Sequence, residues 1–284
     1  MQHSLTSAEL VALHRVVTAD PDFAALPLEG LRPLPTTGLA HDHFRLGDSD
    51  WLARVPKQSQ FGLAALDNLH YQAACFDRAS RSGHAPQLKR LLLPQPDLPL
   101  GALIVEYIAG RPLRMPDELR LLAVALAAVH SLPLPPLDRQ SPLRDGADAV
   151  AAELQVIHAQ AAFLPDAKLH PASQAQFADE LSWAERFAAH VTGQAQPCRL
   201  IATDAHPGNW LVREGKAVLV DWEKGQYSSP AVDLAHASLY TSTTWDVVAA
   251  GAPSLATIVG FYQDWLGQAE PALAAAVRHY EGAT

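Results

Sequence analysis

Hydrophobic and polar positions follow different spacings along the chain, and the first part mixes helical and strand patterns. The N-terminal segment has helical spacing, with Thr6 and Glu9 placed as a capping box. The segment 31–38 contains two prolines and a glycine, which predicts a loop. Strands are predicted at 43–46 and 51–55, with a short polar turn between them. The chain therefore begins as helix, loop and hairpin.

The mixed pattern continues in the next segment. Helical spacing over 61–82 ends at Gly83 and Pro86, two residues that interrupt helices. Two further strands are predicted at 88–93 and 100–107. Together with the earlier hairpin, these segments predict a strand-rich first third of the chain.

Glycine and proline interrupt the pattern at 106–112, which predicts a hinge, and helical spacing dominates afterwards. Helices are predicted in five segments, at 117–131, 143–162, 172–192, 253–267 and 270–281. One hairpin interrupts them, with strands at 209–212 and 216–221 around a short turn. The pattern predicts an α+β architecture with a helical second part.

Composition and charge narrow the class of protein. Of the 284 residues, 49% are hydrophobic and 18% are charged, which is typical of a globular protein. We expect a cytoplasmic protein, because neither a membrane-spanning apolar stretch nor a secretory signal is visible. The formal net charge is −9, so the chain lacks the excess of basic residues that is typical of nucleic-acid-binding proteins. We expect a monomer or homodimer that binds no nucleic acid and no membrane.

Cysteine usage adds little chemistry. The two cysteines, Cys75 and Cys198, are far apart in sequence. They indicate neither a disulfide framework nor a cysteine-based zinc site.

Three polar residues around the second hairpin have the types that phosphoryl transfer requires. Asp204 and Asn209 form a D-x-x-x-x-N motif, and Asp221 ends the second predicted strand of the hairpin. A carboxylate can orient and deprotonate a hydroxyl, while magnesium prefers carboxylate and amide oxygens. A loop followed by a tight hairpin would bring the three side chains to one edge of a cleft. The alternative is that Asp204 and Asn209 form turns and that Asp221 only ends a strand.

This region resembles the catalytic region of the aminoglycoside phosphotransferase and choline kinase family. That family carries H-G-D-x-H-P-G-N, a hairpin, I-D-W-E and D-P-x-x-D-L-A. The matching residues here are Asp204, 206–209, 221–223 and 229–235. The segments 103–110 and 122–133 are similar to the family's hinge and to its helix ending in L-H-x-L-P.

The resemblance implies a two-lobed, protein-kinase-like α+β fold. Residues 1–108 would form a small nucleotide-binding lobe with an antiparallel sheet. Residues 109–284 would form a larger, mainly helical lobe with the catalytic loop and substrate site. ATP and Mg²⁺ are the implied cofactors, and the implied partner is a small molecule with an acceptor hydroxyl. That acceptor would be an aminoglycoside, a choline-like amino alcohol or a sugar.

The resemblance also implies a role for each matching residue. Asp204 would be the catalytic base, and Asn209 and Asp221 would hold magnesium. The backbone of Glu106 and Ile108 would hydrogen-bond the adenine.

Further residues complete the implied nucleotide site. Arg54 matches the strand position where the family carries a lysine or arginine for the ATP phosphates, and Lys57 is a rival for this role. Residues 36–40 would form the loop that covers the phosphates. Asp233 would brace the catalytic loop without touching substrate.

The chain departs from the family at three positions. Ala202 replaces the histidine two residues before the catalytic aspartate, and Thr203 replaces a glycine. Gln72 stands where the family has a glutamate that pairs with the strand cation. It could hydrogen-bond that cation without adding charge, or Asp67 or Asp77 could replace it. Ala202 and Gln72 motivate a second hypothesis, a nucleotide-binding pseudokinase. A third hypothesis is nucleotidyl transfer on the same fold.

The remaining motifs receive structural interpretations. His41 and His43 could bind a metal on one strand face, but without an evident third ligand we interpret them as part of a polar loop. His206 could bind substrate or hydrogen-bond the backbone, and we interpret its role as structural. The segment 241–245 could border the substrate cleft. Aromatic residues at helical spacing are expected in the core, namely Trp183, Trp245, Phe261, Tyr262 and Trp265.

Overall fold

The computed structural model describes residues 5–35, 40–146, 148–191, 197–238 and 255–269. The strands are β1 (Leu31–Pro33), β2 (His41–Leu46), β3 (Trp51–Pro56), β4 (Leu88–Leu92), β5 (Ala102–Glu106), β6 (Arg111–Pro112), β7 (Arg199–Ile201), β8 (Trp210–Arg213), β9 (Lys216–Leu219) and β10 (Gln226–Ser228). The helices are α1 (Ser7–Thr18), α2 (Ala65–Ala79), α3 (Leu119–His130), α4 (Ala149–Ala161), α5 (Pro171–Val191), α6 (Pro230–Ser238) and α7 (Leu255–Ala269).

The larger sheet has five antiparallel strands in the order β1-β2-β3-β5-β4. β3 is its central strand, and Arg54 in β3 lies between His43 of β2 and Leu103 of β5. Because both edges of β3 are paired, its backbone is fixed on both sides. The sheet thereby fixes the backbone position from which the buried Arg54 side chain extends.

Two helices cover opposite faces of this sheet, because successive strand residues point to opposite sides. α1 packs through Leu13 into a cluster that includes Ile104, whereas α2 belongs to the cluster that includes Leu103. The predicted capping box of α1 is confirmed. The Thr6 N–H donates to Glu9 Oε2 at 2.8 Å, and the Glu9 N–H donates to Thr6 Oγ1 at 3.2 Å.

The residues after β5 are mainly helical and contain two small sheets. β6, β8 and β9 form one sheet, in which β8 and β9 are the predicted hairpin, and β7 pairs with β10 in the other. α3 lies at the centre of this part, with Leu122 and Leu126 fully buried. Trp210 and Trp222 from the hairpin region join the same core. The hairpin therefore rests on a rigid apolar base.

α4 and α5 pack against each other at the outside of the molecule. α5 contains no buried residue. Trp183 is 58% exposed and stacks on Phe187, so its predicted place in the core is wrong. The physical reason is that no described residue covers this face of α5. Tyr262 is fully buried, and Phe261 and Trp265 pack against the core, so those predictions are confirmed.

Several short elements differ from the sequence prediction. The loop predicted at 31–38 begins as β1, whose Pro33 is tolerated because β1 is an edge strand. β6, β7, β10 and α6 were not predicted. Three predicted features lie wholly or largely outside the described residues, namely the loop at 36–40, the segment 241–245 with Trp245, and the helix at 270–281.

The predicted α+β class is confirmed, with an antiparallel sheet first and mostly helices after it. The strands of the larger sheet end by Glu106, and the hairpin sheet begins at Arg111. The division into lobes at residues 108 and 109 stays a prediction. Within the described ranges, no helix has both the length and the apolar character to cross a membrane.

Candidate active site

The loop after β7 carries both residues of the D-x-x-x-x-N motif. Asp204 lies in this loop, which ends in a single helical turn at Pro207–Asn209. His206 caps the turn, because its Nδ1 accepts a hydrogen bond from the Gly208 N–H at 3.1 Å. The Asn209 Nδ2 donates to the carbonyl oxygen of Asp204 at 2.9 Å. The predicted structural role of His206 is confirmed, and the loop fixes Asn209 relative to Asp204.

One buried carboxylate holds the start of this loop. Asp233 on α6 accepts hydrogen bonds from the backbone N–H groups of Ala202 and Thr203, at 2.8 and 2.7 Å. His130 Nε2 lies 3.0 Å from the same carboxylate, and His130 Nδ1 lies 2.6 Å from the Tyr262 hydroxyl. Asp233 and His130 are fully buried, so water does not compete for these bonds. The predicted bracing role of Asp233 is confirmed.

The backbone adopts an unusual conformation at Thr203, where φ is 68°. This left-handed region suits glycine, the residue that the resembled family has here, and it is unfavourable for a β-branched residue. The Thr203 Oγ1 is buried and has no hydrogen-bond partner among the described residues. The loop therefore keeps its shape at an energetic cost, which the Asp233 hydrogen bonds offset.

Asp204 faces three basic side chains. Lys224 Nζ donates to Asp204 Oδ2 at 2.7 Å, while His206 Nε2 and His236 Nδ1 lie 3.8 and 3.7 Å from Oδ1. Burial disfavours the Lys224 ammonium, but the Asp204 carboxylate outweighs burial and raises the pKa of Lys224. Burial lowers the pKa of His206. Asp204 therefore has one oxygen bound to an ammonium group and one beside two imidazoles.

Sequence reasoning missed Lys224. Its one sequence signal is its place directly after Asp221-Trp-Glu223, and only the fold shows that it reaches Asp204.

Asp221 lies two residues beyond β9 and forms an ion pair with Arg54, through Asp221 Oδ1 and Arg54 Nη2. Burial opposes ionisation of this carboxyl, but the Arg54 charge outweighs it and lowers the pKa of Asp221 to about 2. Lys57 instead pairs with Asp42 at 3.1 Å. The structure thus brings Arg54, and not its rival, to the predicted metal ligand.

Gln72 does not reach Arg54. Its Oε1 lies 3.0 Å from His41 Nε2, and His41 Nδ1 lies 3.0 Å from Arg54 Nη2. The expected direct bond is therefore wrong, because an imidazole lies between the two side chains. Asp77 pairs with Arg81 on the surface, and Asp67 is exposed, so neither replaces the family's glutamate.

The two histidines of the His41-Asp-His43 motif lie on β2, so their interpretation as a polar loop is wrong. Arg54 lies opposite His43 in the sheet, and His43 Nε2 is 3.4 Å from Arg54 Nη1. Burial, assisted by the Arg54 charge, lowers the pKa of His41 well below its ordinary value and that of His43 to about 3. Burial and the Arg54 charge therefore both disfavour the charged form of these two rings.

His41, Asp221 and Glu223 bring three possible metal-ligand atoms within 4.8 Å of one another. Arg54 Nη2 contacts this group, at 3.0 Å from His41 Nδ1 and 3.9 Å from Glu223 Oε2, besides its ion pair with Asp221. Burial and the neighbouring Asp221 charge raise the pKa of Glu223 to about 7. The cluster already contains a cation, the Arg54 guanidinium.

The predicted adenine contacts lie where β5 ends. The Glu106 N–H donates to the Gln87 carbonyl at 2.8 Å, and the Glu106 carboxylate binds Arg213 at 2.6 Å. The Ile108 carbonyl accepts from the Gly110 N–H at 2.8 Å, and the Ile108 N–H has no backbone partner in the described ranges. Adenine binding here stays a prediction.

Asn209 and Asp221 offer the oxygen ligands that magnesium prefers. Because the Asn209 Nδ2 is engaged by Asp204, its Oδ1 is the end left for a cation. The Asp221 side chain is 27% exposed, which leaves it accessible from outside. The donor set therefore fits Mg²⁺, with Arg54 beside it as a candidate for the phosphates.

Solved structures with the same fold include kinases of small molecules. Choline kinase from Cryptosporidium parvum is 12% identical, with a TM-score of 0.65 over 94% of this chain and 84% of that one. A choline/ethanolamine kinase family protein from Mesorhizobium loti is 18% identical, with a TM-score of 0.52 over 94% and 92%. The streptomycin–ATP–APH(2'')-IIa ternary complex is 14% identical, with a TM-score of 0.57 over 94% and 85%.

No curated protein matches the chain in sequence. The model of the phosphotransferase enzyme family (APH) matches residues 10–274, which is most of the chain. The expected two-lobed, protein-kinase-like fold is confirmed by this match and by the solved structures. The chain belongs to the phosphotransferase enzyme family.

Proposed function

We propose that the protein transfers the γ-phosphoryl group of ATP to a hydroxyl group of a small molecule, in a reaction that depends on Mg²⁺. The observation that carries this proposal is the ion pair between Arg54 of the sheet and Asp221 beyond the hairpin. It joins a candidate phosphate-binding cation to a candidate metal ligand. The same hairpin region follows the loop that presents Asp204, the candidate base.

The proposed reaction converts ATP and an alcohol into ADP, a phosphate monoester and a proton. Asp204 orients the acceptor hydroxyl and takes its proton as the oxygen attacks the γ-phosphorus. Bound Mg²⁺, held by Asn209 and Asp221, supplies charge neutralisation on the phosphates. Arg54 exchanges its contact with Asp221 for the nucleotide phosphates, since its guanidinium matches phosphate geometry.

The Asp204 surroundings support this chemistry. Because Lys224 occupies Oδ2, the acceptor hydroxyl binds at Oδ1, where the imidazoles of His206 and His236 lie 3.8 and 3.7 Å away. The Asp233 hydrogen bonds keep the loop in place during the reaction. Positioning and electrostatics of this kind provide most of the rate in phosphoryl transfer.

The acceptor belongs to the class of small polar alcohols, such as aminoglycosides, choline-like amino alcohols or sugars. Solved relatives of the fold include a streptomycin complex and a choline kinase. ATP as donor is supported by the ATP-containing complex among them. We propose that the enzyme works in the cytoplasm as a monomer or homodimer.

The test measures ADP release from Mg-ATP in the presence of each compound in a panel of aminoglycosides, amino alcohols and sugars. Asp204→Asn should abolish the acceptor-dependent signal, and chelation of Mg²⁺ should do the same to the wild type. Asp77→Ala is the control, because it removes an exposed acid that pairs with surface Arg81. Wild-type protein that binds no Mg-ATP would refute the proposal.

Two further outcomes separate the competing hypotheses. ATP binding without transfer to any acceptor or to water would identify a pseudokinase. A product heavier by AMP instead of phosphate, measured by mass spectrometry, would identify nucleotidyl transfer.

A further inference from the structure

Three buried side chains form a continuous line from α2 to the centre of the sheet. Gln72 and Arg54 are 1% and 3% exposed, and His41 between them is 3% exposed. Gln72 Oε1 lies 3.0 Å from His41 Nε2, and His41 Nδ1 lies 3.0 Å from Arg54 Nη2. The line lies at the position where the Arg54 guanidinium also meets Asp221.

The chemistry of the three groups fixes the protons in this line. A guanidinium only donates hydrogen bonds, so the His41 Nδ1 must offer its lone pair to Arg54. The proton of the neutral ring is then on Nε2, from which it is donated to Gln72 Oε1. His41 therefore takes one hydrogen bond from Arg54 and passes one on to Gln72.

Two acidic side chains near Arg54, those of Asp221 and Glu223, come from the segment after β9. Asp221 pairs with Arg54 Nη2, and Glu223 Oε2 lies 3.9 Å from the same atom and 3.2 Å from His41 Nδ1. His43 Nε2 lies 3.4 Å from Nη1 on the other side. If Asp221 were to hold a metal, it would no longer fix Arg54, and the directional contacts left on the guanidinium would be those of His41 at 3.0 Å and His43 at 3.4 Å, of which the His41 contact is the shorter.

We propose that His41 and Gln72 are positioning residues that hold Arg54 in the orientation needed to bind nucleotide phosphates. This inference rests on the proposed function. A neutral imidazole and amide orient the guanidinium without cancelling its charge, unlike a carboxylate in the same place. The full positive charge of Arg54 is thereby directed at the phosphates.

The effect should appear in phosphate binding and not in binding of the nucleoside. His41→Leu keeps an apolar side chain in the site but removes the acceptor for Arg54. We expect it to weaken Mg-ATP binding about 10-fold, while adenosine binding stays within about 2-fold. His41→Asn, whose amide oxygen reaches the position of Nδ1, should recover most of the Mg-ATP affinity. Gln72→Leu should weaken Mg-ATP binding by about 3-fold, because His41 remains but loses its anchor.

The experiment measures Mg-ATP by calorimetry and adenosine by competition, with thermal unfolding of each variant as a check of folding. His84→Leu is the control, since it removes another partly buried imidazole, which bonds Ala217 O at 2.7 Å, away from Arg54. It should leave the ratio of the two affinities unchanged.

Distinct results separate this inference from the proposed function. Equal loss of ATP and adenosine binding in His41→Leu, or unchanged ATP binding in both His41→Leu and Gln72→Leu, would overturn the positioning role. If His41→Leu does not fold, Gln72→Leu and His41→Asn decide the question by the same ratio. Wild-type protein that binds no Mg-ATP would instead overturn the proposed function.

Discussion

Replacement of Thr203 by glycine should stabilise the folded protein, because Thr203 has a φ of 68° and a buried hydroxyl without a partner among the described residues. A side chain in the left-handed region costs about 1–2 kcal/mol. An unpaired buried hydroxyl costs about 1–3 kcal/mol. Glycine makes the unfolded chain more flexible, which costs about 0.5–1 kcal/mol. The net expected gain in the free energy of unfolding is about 1–4.5 kcal/mol.

Urea denaturation measures this gain, and Thr203→Ala separates its two sources. Alanine removes the hydroxyl but keeps the Cβ that makes a positive φ unfavourable, so it should gain only part of what glycine gains. The Thr203 N–H donates to Asp233 in all three proteins, so the catalytic loop should keep its shape. Turnover of the glycine variant should therefore stay within about 3-fold of the wild type.

Two outcomes would refute this reasoning. A glycine variant less stable than the wild type would show that the backbone at Thr203 is not strained. An alanine variant as stable as the glycine variant would assign the whole effect to the hydroxyl.

Three other perturbations test the site and its supports. Lys224→Met should lower kcat about 100-fold and leave Mg-ATP affinity within about 2-fold, because the ammonium contacts Asp204, the candidate base. Stopped assays measure kcat and calorimetry measures the affinity, and equal losses in both would contradict this prediction. Asp233→Asn should lower the free energy of unfolding, measured by urea denaturation, by about 2–4 kcal/mol, because an amide places a donor against buried N–H groups. An unchanged urea midpoint would argue against the bracing role of Asp233. The pKa of His43 is lowered to about 3, chiefly by burial and then by Arg54, so only the unfolded chain takes up this proton as pH falls below about 6.5. Stability should fall with pH towards about 3, and His43→Gln should recover about 2 kcal/mol of the loss between about pH 7 and pH 5, as urea denaturation at the two pH values would measure; an equal loss in the variant would contradict this.

Segments with a regular spacing of hydrophobic residues or with a recognisable local motif were predictable from the sequence. The capping box of α1, the paired strands around Arg54 and the hairpin of β8 and β9 each follow from local patterns. Short elements were not predictable, because β6 and β7 have only two and three residues and form through distant partners. Their pairing depends on the tertiary fold more than on intrinsic propensity.

In the candidate site, too, some residues could be identified from the sequence, whereas some contacts became visible only in the fold. Asp204, Asn209 and Asp221 could be identified because their types and spacing match phosphoryl-transfer chemistry. The contact of Lys224 with Asp204 spans 20 residues, and that of Arg54 with Asp221 spans 167, so neither follows from spacing. The sequence showed that Gln72 lacks a charge, but only the fold showed that an imidazole fills the gap to Arg54.

The α4 and α5 helices have a consequence for the protein's evolution and engineering. Because α5 buries none of its residues, substitutions along it alter few packed contacts. Neutral drift can accumulate there while the Asp233 and His130 cluster stays constrained. For the experimenter, exposed positions of α5 such as Trp183 are suitable for fluorescent labels or surface attachment, since changes there leave the catalytic loop and its buried supports untouched.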